Sequence, residues 1–312
     1  MIDFRYHLIS LVAVFLALGL GILLGSAVLG ENLTSRLRSA VEDVEASNDR
    51  LRAANAEMGR RIESDNLFAQ RAEPVLVDDS LTGQEVVVFE LARSDGALLT
   101  GVREAIETAG GSISSIVALS DKFALKDEQS RLDLARITGT SSTEPDELRI
   151  EAGALIGSRA ADAGAPGRTS AGDRRLERMT EQLETLGFAE VNRVGGDDLV
   201  PEDALFVVAG GGAEEPPYEE AGLTAALAEG LAAGSAGVLA AEAREGIWGA
   251  ASAVRADDEA SALVATVDQA DVAQGRIAVA LGLDLAAEGT LGHWGSGPGS
   301  SGGVIPEPAP GG

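Results

Sequence analysis

The chain has 312 residues, 50 acidic against 24 basic side chains, a formal charge of −26 at pH 7 and no cysteine. That charge argues against DNA, RNA or anionic lipid as the main partner, because each would be repelled, and without cysteine there is neither a disulfide nor a thiolate metal site. A hydrophobic content of 45% is ordinary for a chain that buries a core, and the length suits one α/β domain or two small ones behind the N-terminal segment.

The first element is an uncharged run from Leu8 to Leu29, 22 residues. As a helix rising ~1.5 Å per residue it covers about 33 Å, enough to cross a hydrocarbon core about 30 Å thick. A secretory signal has a shorter apolar core of ~7–15 residues after a positive start. Here only Arg5, His7 and the chain amine precede the run. Gly25 and Ala27 make a weak cleavage pattern, so a cleaved signal is one alternative and a buried core helix another. Length favours a retained single-pass anchor over residues 1–30. Arg5 before the span and Arg36 and Arg38 after it set the positive-inside count slightly against export of the body, but long domains translocate largely regardless of charge. The expectation is an N-terminus in the cytoplasm and the main body outside it. Gly21 with Gly25, and Ser26 with Gly30, are small-xxx-small steps that let two membrane helices approach closely.

The second element, residues 31–73, carries a heptad. Leu37, Val44, Leu51 and Met58 recur at intervals of seven, and Val41, Asn48, Asn55 and Ile62 recur four positions later. Taken as d and a positions, they form the seam of a coiled coil about four heptads long. A β-branched residue at a with Leu at d favours a parallel dimer, and Asn at a lowers stability while fixing register and strand number. Glu42, Asp43, Glu45, Asp49, Arg50 and Arg52 fall on outer positions. The rod is expected to end near Pro74, which cannot continue a helix. The competing reading is an amphipathic helix laid on the chain's own globular domain.

Residues 74–294 read as an α/β domain. Glu85–Leu91 is a short apolar, β-branched strand; Gly96–Ala109 is a helix ending at Gly110-Gly111; Ser112–Leu119 is a second strand, completing a βαβ unit. Gln129–Ile137, Glu147–Arg159 and Arg174–Leu186 are helical in pattern, with an Ala/Gly-rich loop over Ala161–Asp173. Leu205–Ala209 and Gly237–Ala240 are buried strands flanking a helix over Glu219–Ala233. Ala262–Val267 is the candidate last strand, before a helix over Val272–Leu283. This alternation predicts a doubly wound, mostly parallel sheet. The Gly/Pro/Ser-rich tail, 295–312, is expected to be disordered.

No motif in this body carries chemistry. Gly210-Gly211-Gly212 follows a strand, where open α/β sheets bind ligands, but it is neither GxGxxG nor a P-loop, and Glu214 and Glu215 beside it would repel a phosphate. A flexible turn is the better reading. The two histidines, His7 and His293, lie at the membrane and at the start of the tail, so no Ser-His pairing is expected. Asp78-Asp79, Asp197-Asp198 and Asp257-Asp258 read as solvated loops. Met1, Met58 and Met179 are scattered, which gives no soft-ligand cluster for copper. The strands are too short and too continuously apolar for a membrane barrel. The expectation is a non-enzyme without cofactor.

The opening MIDFRYHLISLVAVFLALGLGILLGS, with its FRYH–span–GxxxGS pattern, resembles the signature of the actinobacterial MctB family of copper transport proteins. The likeness runs through span, coiled coil and α/β body to GHWG at Gly292–Gly295. It implies a role in copper homeostasis or efflux in the cell envelope, with copper as the transported ion, and an outer-membrane placement. A related branch, SteB, implies a different role: a cell-division scaffold whose coiled coil pairs with a partner, SteA, and helps regulate a peptidoglycan hydrolase. The resemblance implies no catalytic residues. The expected partners are therefore the membrane and either a second copy of the chain or a SteA-like coiled-coil protein.

Overall fold

The computed structural model describes residues 4–196, 198–301 and 303–306, and of residues 26–36 only the helical backbone. It divides into two units, Met1–Asp65 and Asn66–Gly312. Helix α1 (Phe4–Leu76) contributes to both.

In the first unit, Phe4–Gly25 has a mean hydropathy of 2.7 and none of it is buried by the chain. It is long and apolar enough to cross a membrane. The rest of this unit is the charged, heptad-bearing stretch of α1.

The second unit is an α/β body. In chain order it comprises β1 (Glu85–Glu90), α2 (Gly96–Thr108), β2 (Ser112–Leu119), α3 (Glu128–Thr138), α4 (Pro145–Gly164), α5 (Ser170–Thr185), β3 (Ala189–Arg193), β4 (Leu205–Ala209), β5 (Gly211–Gly212), α6 (Ala221–Ala232), β6 (Val238–Ala241), β7 (Trp248–Gly249), α7 (Ala250–Ala256), α8 (Asp258–Ser261), β8 (Ala265–Val267), α9 (Ala273–Ala287) and β9 (His293–Trp294). The main sheet has the order β3-β2-β1-β4-β6-β8-β9. Its neighbours are parallel except β2 with β3. The alternation of β1 explains the two layers: Val87 and Phe89 enter one core with α3 to α8, while Val86 and Val88 enter the other with α2 and α9. With both faces covered, the central strands are apolar without interruption. The chain winds outward from β1 and returns at β4, so the topological switch lies between those two strands.

Helix α1 ends at Leu76, close to Pro74 as expected, and three other expectations are corrected. The ring costs one backbone bond in the last turn, where the helix has little left to lose, and the Val77 amide still reaches the Glu73 carbonyl at 3.1 Å. The Ala161–Asp173 loop is shorter: α4 runs to Gly164 because Ala160, Ala161 and Ala163 are buried, and α5 starts at Ser170, capped by the Thr169 hydroxyl. The triple glycine is no flexible turn. Gly211–Gly212 is fully buried and pairs with Trp248–Gly249 as a small antiparallel ribbon. The segment from Gly295 is ordered as far as described. His293 and Trp294 form the last strand, the Ser301 amide returns to the His293 carbonyl at 2.9 Å, and Ile305 packs on the core.

Candidate functional site

The eight seam residues lie on one stripe of α1, and Leu37, Val41, Val44, Asn48, Leu51, Asn55, Met58 and Ile62 are all exposed. Leu37 is 67% exposed, Leu51 61% and Met58 59%, which is far from ordinary burial for such side chains. The ion pairs along this stretch, Arg38–Glu42, Arg52–Asp49, Arg60–Glu57 and Arg61–Glu57, all use outer heptad positions. Each is worth little alone in water; together they keep charge off an apolar stripe. Beyond Ile62 the helical period carries the stripe into Ala69, which is buried within the second unit. The last turns of α1 thus follow the competing reading, an own-domain helix, while the eight seam side chains are exposed. Around Gly21 and Gly25 there is open space. The Ser26–Gly30 step falls on side chains outside the described residues.

At the switch point the crevice between β1 and β4 is filled. A Cβ on Gly210 would lie 2.4 Å from Leu91 Cδ1, so the glycine admits a side chain of the next strand rather than a ligand. The N-terminus of α2, which would otherwise attract a phosphate, is capped by Asp95, whose carboxylate accepts from the Ala97 amide at 2.8 Å. The chain closes with its own atoms the place where related topologies receive nucleotides.

The polar chemistry collects two strands further on. Glu242 directly follows β6 and Asp268 directly follows β8, so parallel pairing brings both to the same carboxyl edge. Asp268 pairs with Arg255 at 2.8 Å, with both side chains almost wholly buried. Arg255 also donates to the Thr266 hydroxyl at 2.7 Å and the Trp294 carbonyl at 2.8 Å. The Asp268 carboxylate accepts the amides of Ser296 at 3.0 Å and Gly297 at 2.9 Å. This is how a glycine-rich segment without a core of its own is held to the sheet. Thr266 meets His293 Nδ1 at 3.0 Å. Burial and the Arg255 charge lower the His293 pKa below the ordinary value.

Glu242 is different. Among the described residues its carboxylate accepts from Ser252 alone, the amide at 2.8 Å and the hydroxyl at 3.0 Å. Burial pushes its pKa up, and those hydrogen bonds and Arg255 only partly offset this. Glu242, Ser252 and Asp268 line a cavity of about 320 Å³ together with Trp248, Gln269 and Ser296–Pro298.

None of Glu242, Arg255 and Asp268 is singled out by motif. The available signal was positional: each acid is the first polar residue after a fully buried strand, at the edge where such sheets bind ligands. The paired acids behave as local structure. Asp79 accepts from the Thr82 hydroxyl, Asp198 pairs with Arg168 at 2.6 Å, and Asp257 caps α8; Asp197 lies outside the described residues. Among the described residues no group of three or more His, Cys, Asp or Glu side chains is placed to hold a metal ion.

The family described as "Copper transport outer membrane protein, MctB" matches residues 1–305. The "Copper transporter MctB" of Mycobacterium tuberculosis (strain ATCC 25618 / H37Rv) is 30% identical over 312 residues, 96% of this chain and 98% of the relative. That of Mycobacterium leprae (strain TN) is 29% identical over 320 residues, 98% of this chain and 100% of the relative.

Proposed function

The chain belongs to the MctB family, and from that premise we propose that it serves copper homeostasis or efflux as a single-pass, membrane-anchored and non-catalytic member of a larger assembly. The copper role follows from the relatives' name. The assembly follows from the exposed seam Leu37–Ile62, the single observation on which this reading rests. One apolar helix cannot enclose a pore, so transport requires further copies or another protein. Copper is cargo in this reading, and no side chain of this chain is assigned to it. The N-terminus is cytoplasmic and the body extracytoplasmic. The family's description speaks of the outer membrane; an apolar helix such as Phe4–Gly25 suits the inner one, because outer-membrane spans are generally barrels.

The seam takes a second copy in parallel register, or the coiled coil of another protein. The same exposed stripe favours a second reading, a scaffold for a cell-division partner. Total cell-associated copper in a strain lacking this gene, with septa imaged in the same cells, separates the two. Excess copper with normal septa is expected. Normal copper with chained or branched cells would overturn the copper role and leave the scaffold.

A further inference from the structure

We propose that the cavity at the carboxyl ends of β6 and β8 binds a compact ligand carrying an ammonium or guanidinium group, with Glu242 as its anchor. The place is right for a ligand. It lies at the carboxyl edge of a parallel sheet, and its volume of about 320 Å³ falls at the lower end of small-molecule sites. Unlike the β1/β4 crevice, it is not filled by the described residues.

The two carboxylates at this edge are not equivalent. Asp268 has a cation of its own, Arg255 at 2.8 Å, and two backbone amides. Glu242 is buried too, at 9% exposure against 4% for Asp268, yet among the described residues no ion pair reaches it. The positive charge that acts on it through space is Arg255, already committed to Asp268. Two donors from Ser252 leave acceptor capacity on an ionised carboxylate unused. A buried carboxylate without a counter-charge is costly, and it either keeps its proton or takes a cation.

The surroundings are shaped for the second outcome. A Cβ on Gly249 would lie 2.0 Å from Glu242 Oε2, so the glycine makes room for the ionisable end of the side chain. The Trp248 indole N–H donates to the Glu214 carbonyl at 2.8 Å, which fixes a half-buried aromatic ring in the cavity wall. Aromatic faces attract cations. Arg244 also lines the cavity, but it is exposed, so solvent screens its charge far more than it screens the buried Glu242.

The test uses the full chain in a non-ionic detergent, with butylammonium chloride as the probe. The readout is tryptophan emission, since the chain has two tryptophans and Trp248 lines the cavity. A saturable change with a midpoint on the order of millimolar is expected for so small a ligand. Butan-1-ol, its neutral counterpart, should give none at equal concentration, and Glu242→Gln should weaken the response at least tenfold. An unsaturable response, equal effects of amine and alcohol, or an unaltered midpoint in Glu242→Gln would each overturn the proposal. Should the variant fail to fold, the amine and alcohol titrations of the wild-type chain decide alone.

Discussion

Arg276 on α9 holds Glu73 near the end of α1 through two parallel hydrogen bonds, Nε to Oε1 at 2.7 Å and Nη2 to Oε2 at 2.6 Å. The residues are 203 positions apart in sequence. Both side chains are mostly buried, at 14% and 7% exposure, and Glu104 adds a longer contact to the same guanidinium at 3.5 Å. The last turns of α1 are therefore built into the α/β body, and a division at residue 73/74 drawn from the proline falls inside that body.

Removing one member of this pair strands the other. Glu73→Ala should destabilise the body by about 3 kcal/mol, within the range for breaking a mostly buried pair. The double variant Glu73→Ala with Arg276→Ala should lose less than the sum of the single losses. Denaturant unfolding of the full chain, followed by tryptophan emission, measures both. Strict additivity would mean that the pair is solvated and weak.

The packing of α4 on α6 depends on Gly157. A Cβ there would lie 2.3 Å from the Leu227 carbonyl oxygen and 2.8 Å from the Leu231 nitrogen, both backbone atoms that cannot rotate away. Gly157→Ala raises intrinsic helix propensity by up to about 1 kcal/mol, but the helices must separate to admit the methyl. Overpacking of about 1–3 kcal/mol should prevail. A lowered unfolding midpoint is expected; a raised one would show that the helix pair gives way easily.

The central strands were legible for the reason that makes them stable. Leu205–Ala209 appears at its predicted bounds because a strand covered on both faces needs an unbroken apolar run, and Ser112–Leu119 keeps its predicted bounds through Ile113, Ile116, Val117 and Leu119 although serines interrupt it. β3, with the sequence Ala189–Arg193, has no such run. It is an antiparallel edge strand with one face in solvent, and it passes unnoticed by composition. The segment after Trp294 is invisible for a different reason: its order comes from Asp268 and Arg255, neither of them a neighbour in sequence. The heptad stripe was visible as a pattern, since a heptad is local, and the structure shows its side chains exposed.

That segment should come free when its pin is removed. In Asp268→Ala the amides of Ser296 and Gly297 lose their acceptor and Arg255 is left buried without a counter-charge. Hydrogen exchange on the full chain should show protection at 295–301 falling at least a hundredfold, with β1 and β4 unchanged. Retained protection would mean that pairing along β9 suffices.

Glu242 should leave a signature in the pH dependence of stability. Its carboxyl is held above the ordinary value of 4.5, chiefly by burial. A carboxyl raised in the folded state binds its proton more tightly there than in the unfolded chain. Its stabilising contribution is fully present below pH 4.5 and is lost as pH rises through the raised value. Glu90, Glu220, Glu229 and Asp284 are raised by the same cause and act in the same direction. Glu242→Gln should leave the unfolding temperature nearly unchanged near pH 4 and exceed the wild type at pH 8. Parallel curves for the two proteins would show that the ionised carboxylate carries no burial cost.

The seam predicts association that depends on single side chains. Leu51 is central in it and 61% exposed in the single chain. Burying one Leu contributes about 1.5–3 kcal/mol, and a two-stranded assembly loses two copies. Leu51→Asp should therefore raise the dissociation constant at least roughly a hundredfold, measured by sedimentation equilibrium in density-matched detergent. Asn48→Leu with Asn55→Leu acts in the opposite sense. It removes two polar groups from a positions, so the assembly should tighten while losing its preference for two strands. The species distribution should then broaden above dimer. If the wild-type chain sediments as a monomer and neither substitution set changes its mass, the stripe awaits a different protein, and the same two variants become the probes for finding it.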